Sequence, residues 1–263
     1  MPSSTSISKT GLNDDNVIFA ANEDEVQRLD KQHKVVYSAI PQLFLAPIDL
    51  AEGWLRVLDQ ATGSGSYLRA EELFKANEES YFPKETPNDT SYHHQTMNEP
   101  WPLKWQGTFD LVHSRMALPG VGLSSLDDAV MNLVKLWQDW GAGPVLQQFQ
   151  QAMRQLVGMV TNGQGVDMRE GPTALVEKAG LTKVQHAIFA VPAGVKAKEN
   201  VRELSLQSMF ATASLATVTL KKLQPVELKA NIDSLSARLV GELGKTGGSY
   251  NLFALWVRMP GFC

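Results

Sequence analysis

Apolar residues fall at helical spacing in some stretches of the chain and bunch into short runs in others, and this mixture predicts an α/β protein. Val26, Leu29, Val35 and Val36, interleaved with Asp24, Glu25, Arg28, Asp30 and Lys31, predict a first helix from Glu23 to about Ser38. The run Leu55, Val57 and Leu58 predicts a buried strand, and Leu68, Leu73 and Phe74 predict a helix over Tyr67–Asn77. A polar, proline-punctuated stretch from Glu78 to Asp89 shows no strand pattern. Strands are predicted again over Thr90–Thr96 and Thr108–Arg115. An amphipathic helix over Ser125–Leu136 is broken by Trp137–Pro144, and a second helix runs Val145–Val160. A short helix, Thr173–Ala179, is closed by Gly180, and a strand spans Val184–Val191. Helices Glu199–Leu223 and Val226–Leu243 are divided by Pro225, and a strand from Ser249 to Met259 ends the pattern. Strands alternating with helices imply an α/β sheet, with helices to spare for a cap. In such sheets ligands bind beyond the carboxyl ends of the strands. That places Asp59–Gly65, Gln95–Asn98 and His113–Met116 on one edge.

Composition narrows the class. With 263 residues the chain can bury a substantial core. A hydrophobic share of 43% with 20% charged residues is ordinary for a globular protein, and a net charge of −4 without a basic run argues against nucleic acid. Cys263 is the single cysteine, so no internal disulfide forms and a reducing, cytoplasmic setting is expected. No apolar run approaches the roughly 20 residues of a membrane span. Residues 1–16 lack the apolar segment of a secretory signal and are expected to be a flexible tail ahead of one domain, 17–263. His93 and His94 point to opposite faces of a strand and cannot chelate one metal, so no metal is expected.

The chemistry concentrates in Val57-Leu58-Asp59-Gln60-Ala61-Thr62-Gly63-Ser64-Gly65. A strand, an acid, and a Gly-x-Gly turn into a helix let the backbone approach a ligand closely and aim helix-terminal N–H groups at it. With Asp59 four residues before Gly63, the stretch resembles motif I of the class I S-adenosylmethionine-dependent methyltransferases. Three further passages extend the likeness: Arg28-Leu29-Asp30-Lys31-Gln32-His33, Met97-Asn98-Glu99-Pro100-Trp101-Pro102, and Phe109 to Gly120. Together they resemble the fungal secondary-metabolite methyltransferases, in particular the N-methyltransferases of gliotoxin-type epipolythiodioxopiperazine clusters, over roughly residues 17–260.

The resemblance implies a Rossmann-like methyltransferase sheet, S-adenosyl-L-methionine as cofactor, and a small-molecule acceptor methylated on N or O. It implies that Asp59, Ala61, Gly63 and Gly65 line the methionine and ribose part of the cofactor, with Met97 and Asn98 by the adenine and Arg28 reaching in from a lid helix in residues 17–45. Helices in 145–180 and 199–243 would act as cap elements. His113 is the candidate base, since it ends the strand Phe109–Val112 and a neutral imidazole suits the role; His33 is the second. Either could equally be a structural histidine. Arg115 and Met116 lie towards the acceptor, and Trp101 could wall it. A homodimer is compatible with this reading. Two departures stand out. No apolar strand ending in an acid is visible between Gly65 and Tyr81, and the helix ending at Leu136 runs straight into Trp137-Gln138-Asp139-Trp140 rather than into a further strand. The chain reads as a relative lacking one or two of the usual strands. Two alternatives therefore stay open: a catalytically inactive methyltransferase-like binding or regulatory protein, and a non-methylating enzyme on the same scaffold.

Overall fold

The computed structural model describes residues 22–42, 44–48, 55–60, 74–76, 90–93, 95, 101–105, 108–115, 140–141, 144–160, 176–178, 180–223 and 232–258. The expected helix Ser125–Leu136 and the residues 1–21 lie outside them.

Helix α1 (Glu23–Tyr37) starts where Asn22, in extended backbone, accepts the Glu25 N–H on its side chain at 2.9 Å. This cap satisfies one orphan donor, while Glu23, Asp24 and Glu25 in the first turn and Lys34 in the last complement the helix dipole. The helix buries Val35 and Val36.

Strands β1 (Val57–Gln60), β2 (Phe74–Ala76), β3 (Tyr92–His93) and β4 (Leu111–Ser114) form a parallel sheet in the order β3-β2-β1-β4. All four residues of β1 are buried, as a strand with neighbours on both sides and cover on both faces requires. Strands β5 (Trp140–Gly141), β6 (Thr182–Ala193) and β7 (Gly248–Arg258) form an antiparallel sheet in the order β5-β7-β6.

Two sequence expectations are corrected here. Phe74-Lys75-Ala76 is not the end of a helix but a strand, with Leu58 facing Phe74 and Gln60 facing Ala76. Trp140-Gly141 is not a mere helix break but a strand, paired with Tyr250 and Ser249. A strand is present in each of the two places where none was expected: with β2, β1 has a ladder partner on each side, while β5 lies at the edge of the second sheet, beside β7. Both were hidden by their length: two or three residues carry no periodicity, and only the neighbouring strand defines them. β2 ends at Ala76; Glu78 and Glu79 lie outside the described residues.

Helices α2 (Pro144–Val160), α3 (Glu199–Leu223) and α4 (Leu235–Thr246) supply most of the core. Leu146, Phe149 and Leu156 of α2 meet Ala213, Ala216 and Leu220 of α3 and the four-spaced Leu235, Leu239 and Leu243 of α4. Val35 and Val36 of α1, Val191 and Ala193 of β6, and Tyr250 and Leu252 of β7 close the same cluster. Of the expected helix Val226–Leu243, residues 226–231 lie outside the described residues; the rest is a 3-10 turn at Ile232–Ser234 followed by α4, Leu235–Thr246. At the head of α2, Glu242 accepts the Val145 and Leu146 N–H groups at 3.0 and 2.9 Å, tying α4 to donors that no turn of α2 can satisfy. Where β6 leaves the sheet, Gly194 has φ +64 and its N–H donates to Ser205 Oγ at 2.9 Å. A Cβ there would lie 1.9 Å from the Leu243 carbonyl oxygen, so glycine is required on two counts.

Candidate active site

The chain runs outward from β1 through β2 to β3, then returns to β4 on the other flank of β1. In open α/β sheets ligands bind in the crevice outside the carboxyl ends at such a reversal, which makes the ends of β1 and β4 the candidate site. The register there is Asp59 opposite His113 and Gln60 opposite Ser114. Partner residues in a ladder share a face, so Asp59 and His113 project to one side together. His113 Nδ1 lies 2.7 Å from Asp59 Oδ1, with the carboxylate 2% exposed and the imidazole 18%. A carboxylate only accepts, so this contact assigns the Nδ1–H tautomer to a neutral His113 ring, with the lone pair on Nε2. The buried Phe44 meets the His113 ring edge-on at 5.6 Å and limits its rotation.

Helix α1 contributes His33. Burial above all, and then the charge of Arg115, pushes its imidazole down to about 4, with Asp30 and Asp59 acting in the opposite sense. Asp59 and Arg115 thus both lie within electrostatic reach of His33, which is neutral at physiological pH and stacked on Tyr37 at 6.0 Å. Tyr250 of β7 joins from the other side: burial raises its hydroxyl well above the ordinary range, while Arg115 and Arg28 oppose that rise. Arg115 therefore acts on both α1 and β7.

The expected site residues divide accordingly. Asp59, His113, His33 and Arg115 come together. Arg28 is buried on α1, where its Nε and Nη2 donate to the two Glu25 oxygens at 2.6 Å each, and its Nη1 to Gln32 and to Thr212 of α3 at 3.4 and 3.2 Å. Its fork ties α1 to α3. Trp101 packs on Trp105 at 5.9 Å, and Trp105 meets the ring of His93 at 4.8 Å, at the end of β3 and two strands from β1. Burial, followed by Lys104, lowers the pKa of His93. Ala61, Gly63, Gly65, Met97, Asn98 and Met116 lie outside the described residues. Phe44 and Tyr250 escaped the sequence reading. Tyr250 carried a signal, because a tyrosine on the core face of a strand must find its hydroxyl a polar neighbour.

The chain's own atoms test whether a cofactor with a hydrogen-bond donor fits. Asp59 Oδ2 and both side-chain amide atoms of Gln60 are buried with no hydrogen-bond partner among the described residues. A buried carboxylate oxygen is costly without a donor. An ammonium or hydroxyl group of a bound molecule supplies that donor, so the residues at the end of β1 fit such a group. Among the described residues there is no cluster of three or more His, Cys, Asp or Glu that could hold a metal, and no helix is long and apolar enough to cross a membrane.

The parallel order and the acid–histidine pair at the reversal define the class: an α/β protein whose polar pair lies at the strand ends where such folds bind ligands. Among proteins of known function, the chain is related by sequence to fungal methyltransferases. It is 36% identical to the N-methyltransferase sirN of Leptosphaeria maculans, over 49% of each chain. It is 25% identical to the N-methyltransferase gliN of Aspergillus fumigatus over 90% of this chain and 94% of that one, and 26% identical to the methyltransferase psoC of the same fungus over 80% and 85%. No protein-family model matches the chain. Of solved structures, a phosphoethanolamine N-methyltransferase 2 of Haemonchus contortus with S-adenosyl-L-methionine covers 88% of this chain at 11% identity and a TM-score of 0.42, with 53% of that chain covered. Likeness of that size adds nothing to the sheet order already described.

Proposed function

We propose that the chain transfers a methyl group from S-adenosyl-L-methionine to a nitrogen of a small secondary metabolite, one related to the diketopiperazine class. The observation that carries this reading is the Asp59–His113 pair at the reversal of strand order, on a chain whose relatives are named N-methyltransferases. When bound, S-adenosyl-L-methionine supplies an electrophilic methyl group: the acceptor nitrogen's lone pair forms the new N–C bond, the S–C pair stays on sulfur, and the N–H proton must leave.

The chain's residues hold, orient and deprotonate. Asp59 Oδ2 takes a cofactor donor; the sequence resemblance assigns Ala61, Gly63, Gly65, Met97 and Asn98 to cofactor binding as well. His113 receives the acceptor's proton. His33, held neutral on α1, cannot compete as a strong base at neutral pH. The sequence resemblance assigns Arg115 and Met116 to the acceptor, and α1 serves as the lid. Positioning of this kind supplies most of the rate in a displacement that asks little of acid–base chemistry. The lone cysteine supports a reducing, cytoplasmic setting, and the net charge of −4 supports a small-molecule partner over nucleic acid.

The inactive reading drew its force from two strands thought to be missing. The strands β2, beside β1, and β5, beside β7, weaken that support. The test is incubation with methyl-labelled S-adenosyl-L-methionine and a panel of cyclic dipeptides bearing N–H groups, followed by mass spectrometry. Label on nitrogen supports the reading. Tight cofactor binding with no labelled product from any acceptor class would point to the non-methylating alternative.

A further inference from the structure

We propose that Asp59 is a positioning residue for the base as well as a cofactor contact: Oδ1 fixes the tautomer of His113, while Oδ2 takes a donor from the bound cofactor. The proposal rests on the methyltransferase reading given above. Four observations carry it. The ladder register puts the two side chains on one face, and they meet at 2.7 Å. The carboxylate is 2% exposed, so water hardly competes for Oδ1. Phe44 packs edge-on against the imidazole and restricts its alternatives. Finally, Oδ2 is buried and has no partner among the described residues, so the same group retains an unsatisfied acceptor.

The consequence is chemical. A histidine whose Nδ1–H is held by a carboxylate presents its basic lone pair on Nε2. When the acceptor nitrogen attacks, its N–H proton passes to that lone pair, the imidazole becomes cationic, and Asp59 stabilises the cation through the bond it already makes. In acid–histidine pairs of hydrolases, changing the acid to its amide leaves the geometry intact but permits the wrong tautomer, and turnover falls by about four orders of magnitude. A general base in methyl transfer contributes less, about 100- to 10,000-fold. The arrangement also links two events, because one carboxylate touches both the base and the cofactor.

The experiment uses the full chain labelled with ¹⁵N-histidine, with His113 assigned by comparison with His113→Gln. Long-range ¹H–¹⁵N spectra in mildly alkaline buffer read the tautomer without any cofactor. The expected result is Nδ1–H in the wild type and Nε2–H in Asp59→Asn, with kcat in Asp59→Asn down at least about 100-fold. If Asp59→Asn fails to fold, the wild-type tautomer still decides the matter. A wild type that transfers methyl groups with His113 as Nε2–H would overturn the positioning role and leave the methyltransferase reading standing. A wild type with Nδ1–H that binds no S-adenosyl-L-methionine would overturn that reading and the Oδ2 contact with it.

Discussion

His33→Phe should flatten part of the acid limb of the protein's stability. The substitution keeps an aromatic ring beside Tyr37 and removes the titrating nitrogens. In the folded chain burial and Arg115 lower His33 from 6.5 to about 4. Between those values the unfolded chain holds a proton that the folded chain lacks, so stability rises with pH across the window and is lost as pH falls from about 6.5 towards 4. At about 1.4 kcal/mol per pH unit, the unscreened span amounts to roughly 3 kcal/mol. The ring is only partly buried, and solvent screening brings the expected effect to about 1–2 kcal/mol. Urea unfolding of both proteins at a series of pH values measures it, and taking the difference cancels every group that titrates alike in the two. The wild type should lose its stability relative to His33→Phe by that amount between neutrality and pH 4. Parallel curves would refute the burial of a neutral His33, and a wild type gaining on the variant as pH falls would reverse the sign of the argument.

Arg115→Gln should raise the titration of His33 towards its ordinary value, since the guanidinium is the second cause of its depression; NMR titration of the ring reads this, and an unchanged midpoint would separate the two residues. Gly194→Ala should cost more than about 3 kcal/mol, because a Cβ there meets the Leu243 carbonyl oxygen, whereas Gly180→Ala, at φ +77 with open space, should cost only about 1–2 kcal/mol of backbone strain. Thermal unfolding compares them, and equal losses would contradict the role given to close approach. Glu242→Ala should remove about 1–2 kcal/mol by stripping the cap from α2, with no effect on cofactor affinity; calorimetry with S-adenosyl-L-methionine checks the second half.

The sequence was most legible where a pattern was long. Helix α1 begins at Glu23 as read, and β6, α3 and β7 agree with their expected spans to within a few residues. These elements are long enough for the spacing of their apolar residues to show in the sequence. Phe74–Ala76 and Trp140–Gly141 were illegible for the opposite reason. Phe-Lys-Ala alternates over only three residues, too few to be read as a strand, and it is one because β1 offers it a ladder. The deduction of excised strands failed with them. At the site, Asp59 and His113 were separately legible from the glycine turn and the strand end. Their contact was not, because it depends on β4 returning to the flank of β1 in a register that places residues 54 apart at 2.7 Å. Arg28 shows the converse: its spacing to Gln32 and His33 suggested an inward edge, while Glu25, one turn earlier, claims its guanidinium.

Whether the crevice between β1 and β4 receives S-adenosyl-L-methionine is the claim on which the rest depends. Calorimetric titration of the purified full chain with S-adenosyl-L-methionine, and then with S-adenosylhomocysteine, tests it most directly. Micromolar binding of both at one site per chain, lost in Asp59→Ala, is the expected result. A folded chain that binds neither, or an Asp59→Ala variant with unchanged affinity, would contradict the assignment of that crevice to the cofactor.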